Sequence, residues 1–185
     1  GLSDGGVLPV AKHFPRHGAT DADSHEGRAI GPPLSELDKS DLLPFEAAIA
    51  TKKSAIMVGH SEIPDLTDGL PASLSPAAIQ GLLREELGFD GLVVTDALNM
   101  RAVSDRWNIE EAVIMALGAG ADLMILGTLA DVGPAFASID EAVYDGRLLV
   151  DRLNDAAVNV LRAKGINSCT LVGRVRGVMN TIYDW

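Results

Sequence analysis

The sequence predicts an α/β fold of parallel strands alternating with helices, and three observations carry that prediction. Short apolar runs recur at Val7 to Ala11, Ala55 to Val58, Leu92 to Thr95 and Leu123 to Leu126, as expected of strands buried on both faces. Helix signals fall between the runs. Polar side chains with chemical capacity, Lys12 and His13, His60, and Asp96, gather where the runs end. Alternation of this kind implies right-handed βαβ crossovers, and so either an open doubly wound sheet or a closed (β/α)₈ barrel. Both place their chemistry at the C-terminal ends of the strands.

Taken in order, the first run leads directly into a polar loop, and the second precedes Gly59-His60. Ser75 and Pro76 supply an N-cap and a proline at the first helical position. Ile79, Leu82, Leu83 and Leu87 then keep one apolar face as far as Gly88. Asp90-Gly91 reads as a turn ahead of the third run, at the end opposite the chemistry. Asn108 caps a helix through Ile109, Val113, Ala116 and Leu117. The apolar stretch from Ala112 to Val132 is interrupted by Asp122, Gly118, Gly120 and Gly127, so it reads as a helix, a turn and a buried strand, not a membrane span. Leu153, Ala157, Val160 and Leu161 mark a last amphipathic helix. Residues 1–166 form one domain in this reading, and the tail 167–185, without clear periodicity, is an extension.

Composition narrows the function. With 185 residues, 47% hydrophobic and 22% charged, the chain can bury a substantial core. Lys and Arg total 15 against 26 Asp and Glu, a net charge of −11 that repels phosphate backbones and anionic lipid. Neither nucleic acid nor a membrane is expected as a partner. One cysteine, Cys169, excludes an internal disulfide framework and a cysteine zinc cluster. It does not settle the compartment. No G-x-G-x-x-G or Walker lysine follows any strand, which disfavours a nucleotide fold.

The chemistry-bearing residues lie in two segments. Lys12-His13-Phe14-Pro15-Arg16-His17-Gly18, followed by Asp21 and Asp23-Ser24-His25, packs three histidines, a lysine and two aspartates into a short loop. It reads either as a solvated loop whose histidines cap backbone groups or as a site. Metal-ligand spacings are absent from it, so no metal is expected. Asp96 follows an all-apolar run, where a carboxylate is costly unless it is paired, caps the next turn or works.

These residues resemble glycoside hydrolase family 3, in its bacterial β-N-acetylglucosaminidase branch. Lys12 to Gly18 and Asp23 to His25 follow the family pattern Lys-His-Phe-Pro-Gly-His-Gly, spacer, Asp-Ser-His, except that Arg16 stands where the family has glycine. Pro44-Phe45, Met57-Val58-Gly59-His60, Pro71 to Ser75, Leu83 to Gly91 and Thr95 to Met100 match as well, so the resemblance covers roughly positions 5 to 165. It implies a partial (β/α)₈ TIM barrel, the last four strand–helix units. A complete barrel typically takes ~250 residues.

Residue by residue, the resemblance implies that Asp96 is the nucleophile of a retaining, double-displacement hydrolysis. His25, oriented by Asp23, would be the acid/base, and Lys12, His13, His60 and Met100 would bind sugar. The substrate class would be terminal β-linked N-acetylglucosamine in cell-wall muropeptides, without cofactor or metal. Most retaining glycosidases use two carboxylates about 5 Å apart. A histidine of unperturbed pKa ~6.5 can replace one, as a cation that protonates the leaving oxygen and a neutral base that activates water. Lys12 is the expected positive neighbour of Asp96. Arg16 is expected to strain or displace its loop, because glycine there would supply a special backbone conformation or a close approach. The family's other sugar ligands belong to the first barrel half, so this chain alone is expected to be inactive, and to pair with an N-terminal half or self-associate. The competing readings are a non-catalytic half-barrel that binds sugar or another chain, and a β-glucosidase or glycoside phosphorylase.

Overall fold

The computed structural model describes residues 1–166 apart from Ala19, Leu37 and Asp38, and for Lys39 and Ser40 the backbone alone; the expected tail extension 167–185 lies outside the described residues. Among the described residues six strands form: β1 (Val10–Phe14), β2 (Ala29–Ile30), β3 (Ala55–Val58), β4 (Ser61–Glu62), β5 (Val93–Ala97) and β6 (Leu123–Ile125). The main sheet is parallel, in the order β1-β3-β5-β6, and β2 and β4 make a separate parallel pair. Helices α1 (Lys39–Ala50), α2 (Arg101–Ser104), α3 (Ile109–Ala119), α4 (Val132–Tyr144) and α5 (Val150–Ala163), with a π-helix at Ala77–Glu86, fill the crossovers and the C-terminal flank.

The core lies between the sheet and its helices. Ile56 and Val58 from β3 and Val93 from β5 pack with Ile79, Leu83, Val103 and Val113. Phe14, at the end of β1, meets Phe45 of α1 edge-on, with ring centroids 5.2 Å apart. Asn108 closes a capping box at the start of α3: its Oδ1 accepts from Glu111 N at 2.8 Å while its own N–H donates to Glu111 Oε2 at 3.2 Å. Ser75 Oγ accepts from Ala78 N at 3.3 Å ahead of the π-helix.

Two boundaries differ from the sequence reading in a way that matters for function. The first strand is not Val7 to Ala11 but Val10–Phe14, because pairing with β3 begins at Val10↔Ala55, and Val7 and Leu8 stay exposed. The third begins at Val93 and runs to Ala97. Lys12, His13 and Asp96 therefore stand on strands, not in the loops beyond them; Lys12 is in register with Met57, while His13 and Asp96 sit where the register shifts. Asp122 anchors the opposite end of the sheet. Its buried carboxylate accepts from Arg84 and Arg152 at 2.7 Å each, from Val93 N at 2.9 Å and from Asn159 at 3.1 Å. One side chain thus ties the π-helix, β5, the α3–β6 turn and α5 together.

Candidate active site

His13 and Asp96 meet at the C-terminal edge of the sheet. His13 Nε2 lies 3.4 Å from Asp96 Oδ2, and both side chains are partly exposed. The other carboxylate oxygen, Oδ1, accepts from the N–H of Ala97 at 2.8 Å. Burial pushes the His13 pKa below its usual value, outweighing the opposing pull of Asp96, and Lys12 and His17 add to the lowering. The ring of His17 stacks edge-on against His13, with centroids 5.1 Å apart. Lys12 is exposed and makes no ion pair within 4.0 Å among the described residues, so His13, and not Lys12, is the neighbour that Asp96 touches. The Lys12–His13 and Phe14–Pro15 peptides are cis.

The loop between β1 and β2 carries the second group. Asp23 Oδ1 accepts from both the backbone N–H of His25, at 2.9 Å, and its ring Nδ1, at 2.8 Å. These bonds hold the Asp23 carboxyl below the usual carboxylate range, the backbone bond contributing most. A carboxylate only accepts, so Nδ1 carries the hydrogen and Nε2 is the atom left to exchange a proton. His25 is exposed, yet close enough for its charge to act on both His13 and His60. Ser24, between the two, is buried, and its carbonyl accepts from Ala102 N at 3.1 Å, which ties the loop to α2. Arg28 closes the loop's far end on Glu62 with bonds of 2.7 and 2.6 Å, and Arg106 adds a third at 2.7 Å. No sequence pattern signals this anchor, because its partners are far apart along the chain.

Two expectations need correction. His60 is buried, with Nδ1 2.7 Å from Ser73 Oγ and Nε2 3.0 Å from the Ala97 carbonyl. With both ring nitrogens engaged inside the protein, it has no atom to offer a sugar hydroxyl. Arg16 does not occupy the left-handed backbone that would favour glycine: among the described residues the non-glycine positions with positive φ are Lys52, Asp65 and Asp68. Its guanidinium instead turns inward to Asp41 of α1, with Nη2 3.1 Å from Oδ2. Met100, also expected to bind sugar, is buried at the start of α2.

The family model described as the N-terminal domain of glycosyl hydrolase family 3 matches residues 1–163. The chain belongs to glycoside hydrolase family 3. Within this family it is 42% identical over 173 residues to the β-hexosaminidase LpqI of Mycobacterium tuberculosis, covering 90% of this chain and 44% of that protein. The solved structure of M. tuberculosis LpqI superposes with a TM-score of 0.86 at 41% identity, over 90% of this chain and 50% of that one. A family 3 β-N-acetylglucosaminidase from Paenibacillus gives 0.84 at 38% identity, over 88% of this chain and 32% of the other. The chain therefore spans about half the length, or less, of these relatives. The α/β class and the partial barrel expected from the sequence both stand.

Proposed function

We propose that this chain supplies the catalytic face of a retaining exo-β-N-acetylglucosaminidase. The observation that carries the reading is the hold of Asp23 on His25, whose Oδ1 accepts from both the backbone N–H and Nδ1, fixing the tautomer and leaving Nε2 as the proton-exchanging ring atom. In the first step Nε2–H protonates the glycosidic oxygen while the Asp96 carboxylate attacks the anomeric carbon, giving a glycosyl ester. In the second, Nε2 takes a proton from water, which displaces Asp96 and releases the sugar with its configuration retained. His13, beside Asp96, and the exposed Lys12 would hold sugar hydroxyls.

Relatives named β-hexosaminidase and β-N-acetylglucosaminidase support a terminal N-acetylglucosamine as the substrate; muropeptides of the cell wall are the source we assign. The chain covers 44% of the M. tuberculosis relative and 32% of the Paenibacillus one, and the exposed Val10 of β1 and the exposed Leu123 and Ile125 of β6 mark the sheet edges where four further strands would pair. The test compares p-nitrophenol release from N-acetylglucosaminyl and glucosyl substrates, with and without phosphate. It is run on the chain alone and on the chain joined to a first barrel half. The reading predicts phosphate-independent N-acetylglucosaminidase activity in the joined protein. Preference for the glucosyl substrate, or dependence on phosphate, would replace it.

A further inference from the structure

His60 follows β3 after Gly59, and both of its ring nitrogens are engaged within the protein. Its Nε2 faces the Ala97 carbonyl at 3.0 Å, and since a carbonyl only accepts, Nε2 carries the hydrogen. Burial lowers the pKa of this ring, so it is neutral, and Nδ1 accepts from the Ser73 hydroxyl at 2.7 Å. Ser73 is itself fully buried, in the turn Ala72–Leu74, and its backbone N–H donates to Gly59 O at 3.0 Å. Donor and acceptor are therefore fixed at every link from Ser73 through His60 to Ala97.

Residue 97 is held from both sides. Its carbonyl accepts from His60 and from Met100 N at 3.0 Å, closing the turn that follows the strand. Its N–H donates to Asp96 Oδ1 at 2.8 Å. We propose that His60, held by Ser73, is a positioning residue that sets the orientation of the Asp96 carboxylate by pinning the Ala97 turn. The proposal rests on the reading of Asp96 as nucleophile only for its catalytic consequence. A buried imidazole with two directed bonds is a costly way to fill a core. A carboxylate that must point at one atom gains from such a hold, because a misplacement of about 1 Å can cost roughly a hundredfold in rate.

The experiment uses the whole chain, with Ser73→Ala, Ser73→Thr and His60→Gln variants. Amide exchange is read at Ala97 and, as a control for global stability, at Val93 and Val94. Ser73→Ala should lower protection at Ala97 about tenfold while leaving Val93 and Val94 unchanged, as expected for a local opening. Ser73→Thr, which keeps the hydroxyl, should restore it. Because His60→Gln also changes buried side-chain volume, Ser73→Ala is the deciding variant. Unchanged protection at Ala97, or an equal loss at Val93, would overturn the proposal. In the chain joined to a first barrel half, Ser73→Ala should lower kcat about tenfold with KM unchanged, on the same geometric argument; a change in KM alone would contradict it. A mechanism-based label found away from Asp96 in the unsubstituted protein would remove the nucleophile reading instead, and the exchange result would still decide whether Ala97 is pinned by His60.

Discussion

Arg16 and Asp41 form an ion pair between the base of the His25 loop and helix α1, with Nη2 3.1 Å from Oδ2 and both side chains largely buried. The residue that departs from the family pattern has acquired its own partner. Neither side is fully satisfied: Nε and Nη1 of Arg16 and Oδ2 of Asp41 have no hydrogen-bond partner among the described residues, so the contact is an ion pair without an aligned hydrogen bond. Removing either member therefore has unequal consequences. Asp41→Ala leaves a buried cation alone and should cost about 2–3 kcal/mol, whereas Arg16→Gly also removes two unpaired donors and should cost about 1 kcal/mol. Chemical denaturation of both variants and of the double variant checks this. Equal losses would show that the unpaired donors carry no penalty.

Asp122 should be the most sensitive polar position in the molecule. Two arginines, an asparagine and a backbone N–H converge on a carboxylate with no exposed surface. Asp122→Ala removes the carboxylate that both guanidinium groups pair with, leaving them their backbone-carbonyl partners alone, and should destabilise by about 3–5 kcal/mol. A fall in melting temperature of less than a few degrees would contradict that estimate.

Much of this architecture was legible in the sequence, because buried parallel strands are apolar throughout and Asn108 and Ser75 announce their helices. Helix α1 was not, since Pro44 inside it reads as a break. Helix α4 was also missed: Gly133 and Pro134 stand in its first turn. Asp23, His25 and Asp96 stood out as candidates by residue type and position, and the roles proposed for them came from the family resemblance. The burial of His60 could not, because its partners Ser73 and Ala97 lie 13 and 37 residues away. Ion pairs such as Arg28–Glu62 are equally invisible before the chain is folded.

Acid should destabilise the chain before its carboxylates titrate. Burial lowers the folded-state pKa of His60 and of His13 below the ordinary 6.5. Groups depressed in this way contribute stability fully above pH 6.5 and lose it as pH falls through the folded value, since the unfolded state takes up the protons first. Stability should therefore fall below pH 6.5 with a slope of up to about 1.4 kcal/mol per pH unit for each histidine. His60→Gln should reduce that slope. Denaturation curves between pH 7.5 and 5 provide the check, and a pH-independent midpoint would refute it.

His25 is expected to act on the leaving group, through the Nε2 that Asp23 leaves free. In the chain joined to a first barrel half, His25→Ala should slow substrates with poor leaving groups about 10²–10⁴-fold and activated aryl glycosides far less. Asp23→Asn should show the same pattern more weakly, because it loses the tautomer bias and not the ring. Equal losses on both substrate types would assign His25 a structural role.

The most direct test of the account is covalent labelling of the joined protein by a mechanism-based fluorinated N-acetylglucosaminyl donor, followed by peptide mapping. The account predicts one label, on the peptide containing Asp96, and none in Asp96→Ala, whose turnover should fall by several orders of magnitude, roughly 10⁴-fold or more. A label on any other residue, or unaltered turnover in Asp96→Ala, would contradict it.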